Sequence, residues 1–147
     1  KNLKTMGMSL KPCTVFTTGK ESFEIADDEV EIGLGIHGEP GTHREKMTTA
    51  NEFTEKLFEK VYAESNAQKG DRFAVLVNGL GETTLIELFI INNHLQDLLK
   101  DKGVEVAKTL VGNYMTSLDM GGFSITLLKL DKEMEELLNA EEDTIAF

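Results

Sequence analysis

Glu31-Ile32-Gly33-Leu34-Gly35-Ile36-His37-Gly38-Glu39-Pro40-Gly41 joins a short apolar strand to a glycine-rich loop, with one histidine at the junction. Four glycines in nine positions cost chain entropy. Such crowding implies a backbone that bends tightly or admits a close approach. Open sheets present ligand sites at strand ends, and an imidazole with an ordinary pKa of about 6.5 is mostly neutral near pH 7. His37 can therefore act as nucleophile or acceptor without another base. Chemistry alone leaves a second reading open, a histidine held by local backbone groups that shapes the turn.

Two generic assignments are disfavoured, one by its context and one by its spacing. Gly33, Gly35 and Gly38 match a dinucleotide fingerprint, but that motif needs a helix opening at the third glycine to hold a pyrophosphate. Here Glu39, Pro40 and Gly41 follow, a carboxylate and a helix-delaying pair. His37 and His43 fit neither the helical i, i+4 spacing of a zinc pair nor a Cys/His knuckle, and the chain has a single cysteine, so no metal site is expected.

Working outward, residues 6–18 read as a first strand that Pro12 pushes to an edge or breaks, residues 22–25 as a short extended piece, and residues 30–37 as the next strand. Residues 38–44 form the loop. The period then changes to that of a helix over residues 45–65, with Ala50, Phe53, Leu57, Val61 and Tyr62 on one side. Residues 72–77 are a continuous apolar strand ending in Asn78-Gly79-Leu80-Gly81, after which Thr83 or Thr84 caps a helix to about residue 100. That glycine corner reads as close strand-to-helix packing ahead of an anion site, since no P-loop Lys-Ser/Thr follows; Asn78 is its polar residue to watch. His94 falls on the surface of this helix or in an interface.

Residues 104–111 form a strand with a slip in its alternation, residues 113–122 a long turn, and residues 123–130 a clear strand. Asp131 caps a short helix to Leu138, and residues 143–147 add a last strand. Asp119 reads as a turn residue bonding local backbone amides, and as a candidate base only beside another catalytic domain. Adjacent strands without an intervening helix need antiparallel pairing, while helical crossovers allow parallel pairs. The expected class is α/β: a two-layer sandwich with a mixed sheet of about six strands, two main helices and a short C-terminal helix.

The chain has 147 residues, 40% of them hydrophobic, with a formal charge of -11. One domain spanning residues 1–147 is expected, with enough core to stand without metal or disulfides. The acidic balance argues against nucleic acid and anionic membrane as partners, and no apolar run reaches the roughly 20 residues of a membrane span. Lys1 opens no signal-like segment, and a missing initiator methionine suits a fragment or processed chain; a reducing cytoplasm is compatible with the lone Cys13, whose neighbours Leu10, Val15 and Phe16 suggest a core thiol.

Three motifs in order, the Gly33 to Gly41 stretch, Val77-Asn78-Gly79-Leu80-Gly81 and Thr116-Ser117-Leu118-Asp119-Met120-Gly121-Gly122-Phe123-Ser124, resemble the dihydroxyacetone kinase substrate-binding subunit, in its C-terminal half only. The resemblance implies that His37 binds dihydroxyacetone covalently as a hemiaminal, with His37 and Gly38 as substrate-binding positions. It also implies an absent N-terminal domain carrying the acid/base residues, a separate ADP-binding subunit recharged by the phosphotransferase system, a homodimer, a cytoplasmic setting and no cofactor in this chain. Alternatives within the resemblance are a ketone-binding coactivator of a transcriptional regulator and part of a fused ATP-dependent kinase.

Overall fold

The computed structural model describes residues 1–34 and 41–141. Strands β1 (Leu3–Lys11), β4 (Glu29–Ile32), β5 (His43–Lys46), β6 (Arg72–Gly79), β7 (Glu105–Gly112) and β8 (Gly121–Leu130) form one sheet, in the order β5-β4-β1-β8-β6-β7. β2 (Thr14–Val15) and β3 (Lys20–Glu21) make a separate small hairpin. Among the described strands only β6 and β7 are parallel, and helix α2 (Leu85–Asp101) is the crossover between them; the other pairs are antiparallel. The mixed sheet is as expected, and the anticipated slip in β7 is a register shift opposite Phe73 and Ala74.

Helix α1 (Ala50–Ser65) starts where Thr49 and Glu52 exchange bonds, the Thr49 hydroxyl accepting from the Glu52 N–H and the Glu52 carboxylate accepting from the Thr49 N–H. At α2 the Glu87 carboxylate accepts from the Thr84 N–H and hydroxyl, so Thr84 is the cap. The apolar stripes Phe53, Leu57, Phe58, Val61 and Leu88, Ile91, Leu95, Leu99 face the same side of the sheet. There they meet alternate strand residues, including Met8, Phe73, Val75, Ile125 and Leu127. Each such side chain contributes about 1.5–3 kcal/mol relative to exposure, an upper bound because unfolded chains already bury some surface. The opposite sheet face carries Thr5, which is exposed, and Leu76, Thr126 and Leu128, which are partly buried. At its Arg72 end lies the short helix α3 (Lys132–Leu138), capped by Asp131 and tied by the Arg72 guanidinium to Glu135.

Several expectations change. β1 ends at Lys11 and lies in the interior of the sheet, and Pro12 terminates it. Cys13 is half-buried and its Sγ contacts the Thr14 carbonyl, while Leu10, Val15 and Phe16 are exposed, Phe16 by 89%, so this is no core thiol. Residues 22–25 form no strand, and β4 stops at Ile32. The helix begins at Ala50, and His43 to Lys46, read as loop and helix, form the edge strand β5. Its four residues are all basic or acidic, which blunts an edge against association and leaves no alternating apolar signal to read. The expected strand at 143–147 lies outside the described residues, so among them it is β5 that brings the sheet to six.

Candidate functional site

The hairpin of β4 and β5 holds both ends of the His37-bearing segment. Its last paired residues are Ile32 and His43, and beyond them the Thr42 N–H donates to the Ile32 carbonyl at 2.7 Å, with the Thr42 hydroxyl on the same oxygen at 3.1 Å. On the leading side Gly33 takes a φ of 80°, a left-handed conformation that favours glycine, and its N–H reaches the Gly7 carbonyl on β1 at 2.7 Å. On the trailing side the Gly41 N–H donates to Glu31 Oε1 at 2.8 Å, while Arg44 Nε donates to Glu31 Oε2 at 2.8 Å. A Cβ on Gly41 would run into the Ile32 carbonyl oxygen and Glu31. Two of the four glycines are thus required by the base of the loop itself. His37, Gly38 and the other residues of 35–40 lie outside the described residues.

The second and third motifs form one hydrogen-bonded corner. The Leu80 N–H donates to the Gly122 carbonyl, and the Ser117 hydroxyl and N–H both donate to the Leu80 carbonyl. Thr83, the unused helix cap, clips this corner: its hydroxyl donates to the Gly122 carbonyl and accepts from the Gly122 N–H. Asn78 is 3% exposed and uses both ends of its amide. Its Oδ1 accepts from the N–H groups of Tyr114 and Met115 at 2.9 and 2.8 Å, and its Nδ2 donates to the Met115 carbonyl at 2.7 Å. The packing reading of the glycine corner holds, since a Cβ at Gly79 or Gly81 would press on Asn113 and Leu88 or on the Ser117 carbonyl.

Register brings this corner to the loop. Gly7 pairs with Ser124, and Ser124 with Asn78, so the three stand side by side on β1, β8 and β6. Two strand spacings of roughly 4.8 Å put Asn78 about 10 Å from the backbone that anchors Gly33. All three motifs therefore border one stretch of sheet. Nothing in their spacing along the chain marks Glu31 or Ser117 as a partner in this arrangement; a carboxylate between the apolar Val30 and Ile32 was the one available signal.

The remaining polar candidates have other work. His43 Nδ1 lies 2.9 Å from the Thr42 hydroxyl and its Nε2 2.8 Å from Glu45, which also pairs with Lys56. His94 bridges the two main helices by contacting Glu55 at 2.8 Å. Among the described residues no group of three His, Cys, Asp or Glu is placed to hold a metal, and no helix is long and apolar enough to cross a membrane.

Asp119 corrects the expectation of a purely local turn bond. Its carboxylate accepts from the Thr14 N–H at 2.8 Å and so ties the third motif to the β2–β3 hairpin. Hydrogen bonds from Thr14 and Cys13, aided by the Lys11 charge, hold its pKa below the usual carboxylate range. Stability from such a group is complete above its unfolded value of about 3.9 and is lost as pH falls through the lower folded value. Asp119→Asn is therefore expected to lower the thermal midpoint at pH 7 and to converge with the parent chain once pH has fallen below the folded value. Parallel midpoint curves from pH 7 to below that value would refute this role.

The geometry defines an α/β domain that carries a histidine-bearing glycine segment on a hairpin beside a glycine corner. Comparison places it more closely. Residues 1–146 match the Dak1 domain, and the chain belongs to that family. It is 48% identical over 147 residues to the dihydroxyacetone-binding subunit DhaK of PTS-dependent dihydroxyacetone kinase 1 from Listeria innocua, covering 99% of this chain and 45% of that protein. The chain thus spans less than half the length of this relative. Among solved structures, the dihydroxyacetone kinase operon co-activator Dha-DhaQ superposes with a TM-score of 0.85 at 40% identity, covering 95% of this chain and 43% of that one. The dihydroxyacetone kinase of C. freundii, in complex with AMP-PNP and Mg2+, superposes with a TM-score of 0.83 at 27% identity, covering 95% and 26%.

Proposed function

We propose that this chain is the ketone-capturing half of a dihydroxyacetone kinase substrate-binding subunit, with His37 as covalent anchor and Gly38 beside it in the substrate site. The observation that carries the reading is the loop base: within a Dak1 match over residues 1–146, the segment bearing His37 leaves from Gly33 on Gly7 and returns at Gly41 on Glu31. A neutral imidazole nitrogen attacks the central carbon of dihydroxyacetone. As the N–C bond forms, the carbonyl π pair moves to oxygen; that oxygen gains a proton and the ring gives up its N–H proton, leaving a neutral hemiaminal. Glycerol has no carbonyl to capture, so bond formation adds a selectivity that apolar contacts, worth about 1–3 kcal/mol, do not supply for so small a ligand.

In this reading the chain is the second of two domains and works in the cytoplasm. The first domain supplies the acid/base residues, and phosphoryl transfer comes from a separate ADP-carrying subunit, so this chain needs no cofactor and does not turn over alone. A homodimer belongs to the same reading, with the partly exposed sheet face of Leu76 and Leu128 as its candidate surface; a monomer mass by sedimentation would remove that element.

The test is carbon NMR of dihydroxyacetone labelled at its carbonyl carbon. A new signal in the saturated-carbon range is expected with the parent chain, is absent with His37→Ala, and fades between pH 7 and 5 as an imidazole of ordinary pKa, about 6.5, takes its proton. No His37-dependent signal at any pH would defeat the proposal. A second reading, a non-catalytic ketone-binding coactivator, has the 40% identity and TM-score of 0.85 to the co-activator structure behind it, below the 48% identity to the kinase subunit of Listeria innocua. Phosphate transfer after adding a first domain and an ADP-carrying subunit separates the two.

A further inference from the structure

We propose that Glu31 is a positioning residue for the His37 segment, a role that rests on the reading of His37 just given. The two ends of residues 35–40 are held differently. Among the described residues the leading end is fixed by backbone, Gly33 N–H to the Gly7 carbonyl. At the trailing end Thr42 bonds the Ile32 carbonyl, and Gly41 itself is held by one side chain, the Glu31 carboxylate, which receives the Gly41 N–H on Oε1 and Arg44 Nε on Oε2, both at 2.8 Å.

Glu31 is set up for this. Its side chain is 9% exposed although it carries a charge, and it stands in β4 between Ser9 on one neighbour and Arg44 on the other. An edge ion pair with Arg44 would need neither that burial nor a second acceptor. The second oxygen is spent on a loop amide, and Gly41 has no side chain because its α-carbon is pressed against the Ile32 carbonyl and Glu31 itself. The carboxylate therefore sets where the chain re-enters β5 after His37, four residues before Gly41.

Charge and length are both needed. A glutamine at this position has one acceptor: with its carbonyl toward Gly41 its NH2 faces the Arg44 donor, and turned round its NH2 faces the Gly41 N–H. An aspartate keeps the charge, and the long Arg44 side chain can follow it, but the Gly41 backbone cannot. Glu31→Gln and Glu31→Asp should thus release the same amide by different routes, whereas Glu31→Gln combined with Arg44→Met removes the conflicting donor and lets the amide carbonyl accept from Gly41 again.

The experiment uses the 147-residue chain, with amide hydrogen exchange at Gly41 and adduct formation with carbonyl-labelled dihydroxyacetone measured on the same samples. Expected in Glu31→Gln is exchange at Gly41 faster by about tenfold or more, the equilibrium weight of one charge-assisted bond, with a fall of similar size in adduct affinity. Glu31→Asp should do the same and serves if the glutamine variant does not fold. The double variant should recover most of both effects, which a general loss of stability would not allow. Unchanged exchange at Gly41 in either single variant overturns the clamp; faster exchange with unaltered ketone capture overturns its positioning role. Absence of any adduct with the parent chain refutes the His37 reading and with it the positioning role, while the exchange data alone still decide whether Glu31 clamps Gly41.

Discussion

Replacing Asn78 by alanine is expected to lower the unfolding free energy by about 3 kcal/mol, at a net worth of about 1 kcal/mol for each of the three backbone bonds the side chain makes at 2.7 to 2.9 Å. For a domain of this size that is a fall of about 10 °C in the thermal midpoint. The loss should begin in the turn after β7, because all three bonds join Asn78 to the solvent-facing Tyr114 and Met115, whereas the β6 backbone on either side of Asn78 keeps its pairing with β7 and β8. Asn78→Asp separates acceptor from donor. A carboxylate can accept from both N–H groups but meets the Met115 carbonyl without a proton, so its folded pKa is raised. The deficit of that variant should be small below the unfolded value of about 3.9 and should grow as pH rises through the folded value. A loss below about 1 kcal/mol for Asn78→Ala, measured by denaturant unfolding, would mean that the corner is held by Ser117 and Thr83 instead.

What could be read in the chain was whatever is written as periodicity. The stripes of α1 and α2 and the apolar runs of β6 and β8 are dictated by burial on one side of a sheet, and burial leaves a repeat. β5 escaped because an edge strand of His43, Arg44, Glu45 and Lys46 buries little and carries charge for protection. β1 was displaced because Cys13, Val15 and Phe16 extend an apolar pattern past Pro12 although the chain has already left the sheet. Pairings between distant residues were invisible for a different reason. Asp119 to Thr14 and Thr83 to Gly122 join parts of the chain that only the strand order brings together. Of the first motif's glycines, Gly33 and Gly41 meet the demand for a tight bend or a close approach, and at Gly41 what approaches is the chain's own Ile32 carbonyl.

That close contact makes Gly41→Ala the sharper test of whether the loop base governs the site. The added Cβ would overlap a backbone oxygen, which cannot rotate away as a side chain can, and would also press on the Glu31 side chain that receives the Gly41 N–H. Overpacking of this kind costs about 1–3 kcal/mol. The Thr42 N–H bond to the same Ile32 carbonyl stands in the way of relief, so the strain should move outward along the chain, away from the paired hairpin and into residues 35–40. Global stability is therefore expected to fall modestly while capture of dihydroxyacetone falls on the order of a hundredfold, the penalty for a reacting group displaced by about 1 Å. Thermal unfolding and labelled-ketone binding on one preparation decide it. Equal capture in the parent and Gly41→Ala chains would show that the ketone site does not depend on where the chain re-enters β5. A loss of capture matched by wholesale unfolding would show instead that Gly41 is needed by the hairpin and not by the site.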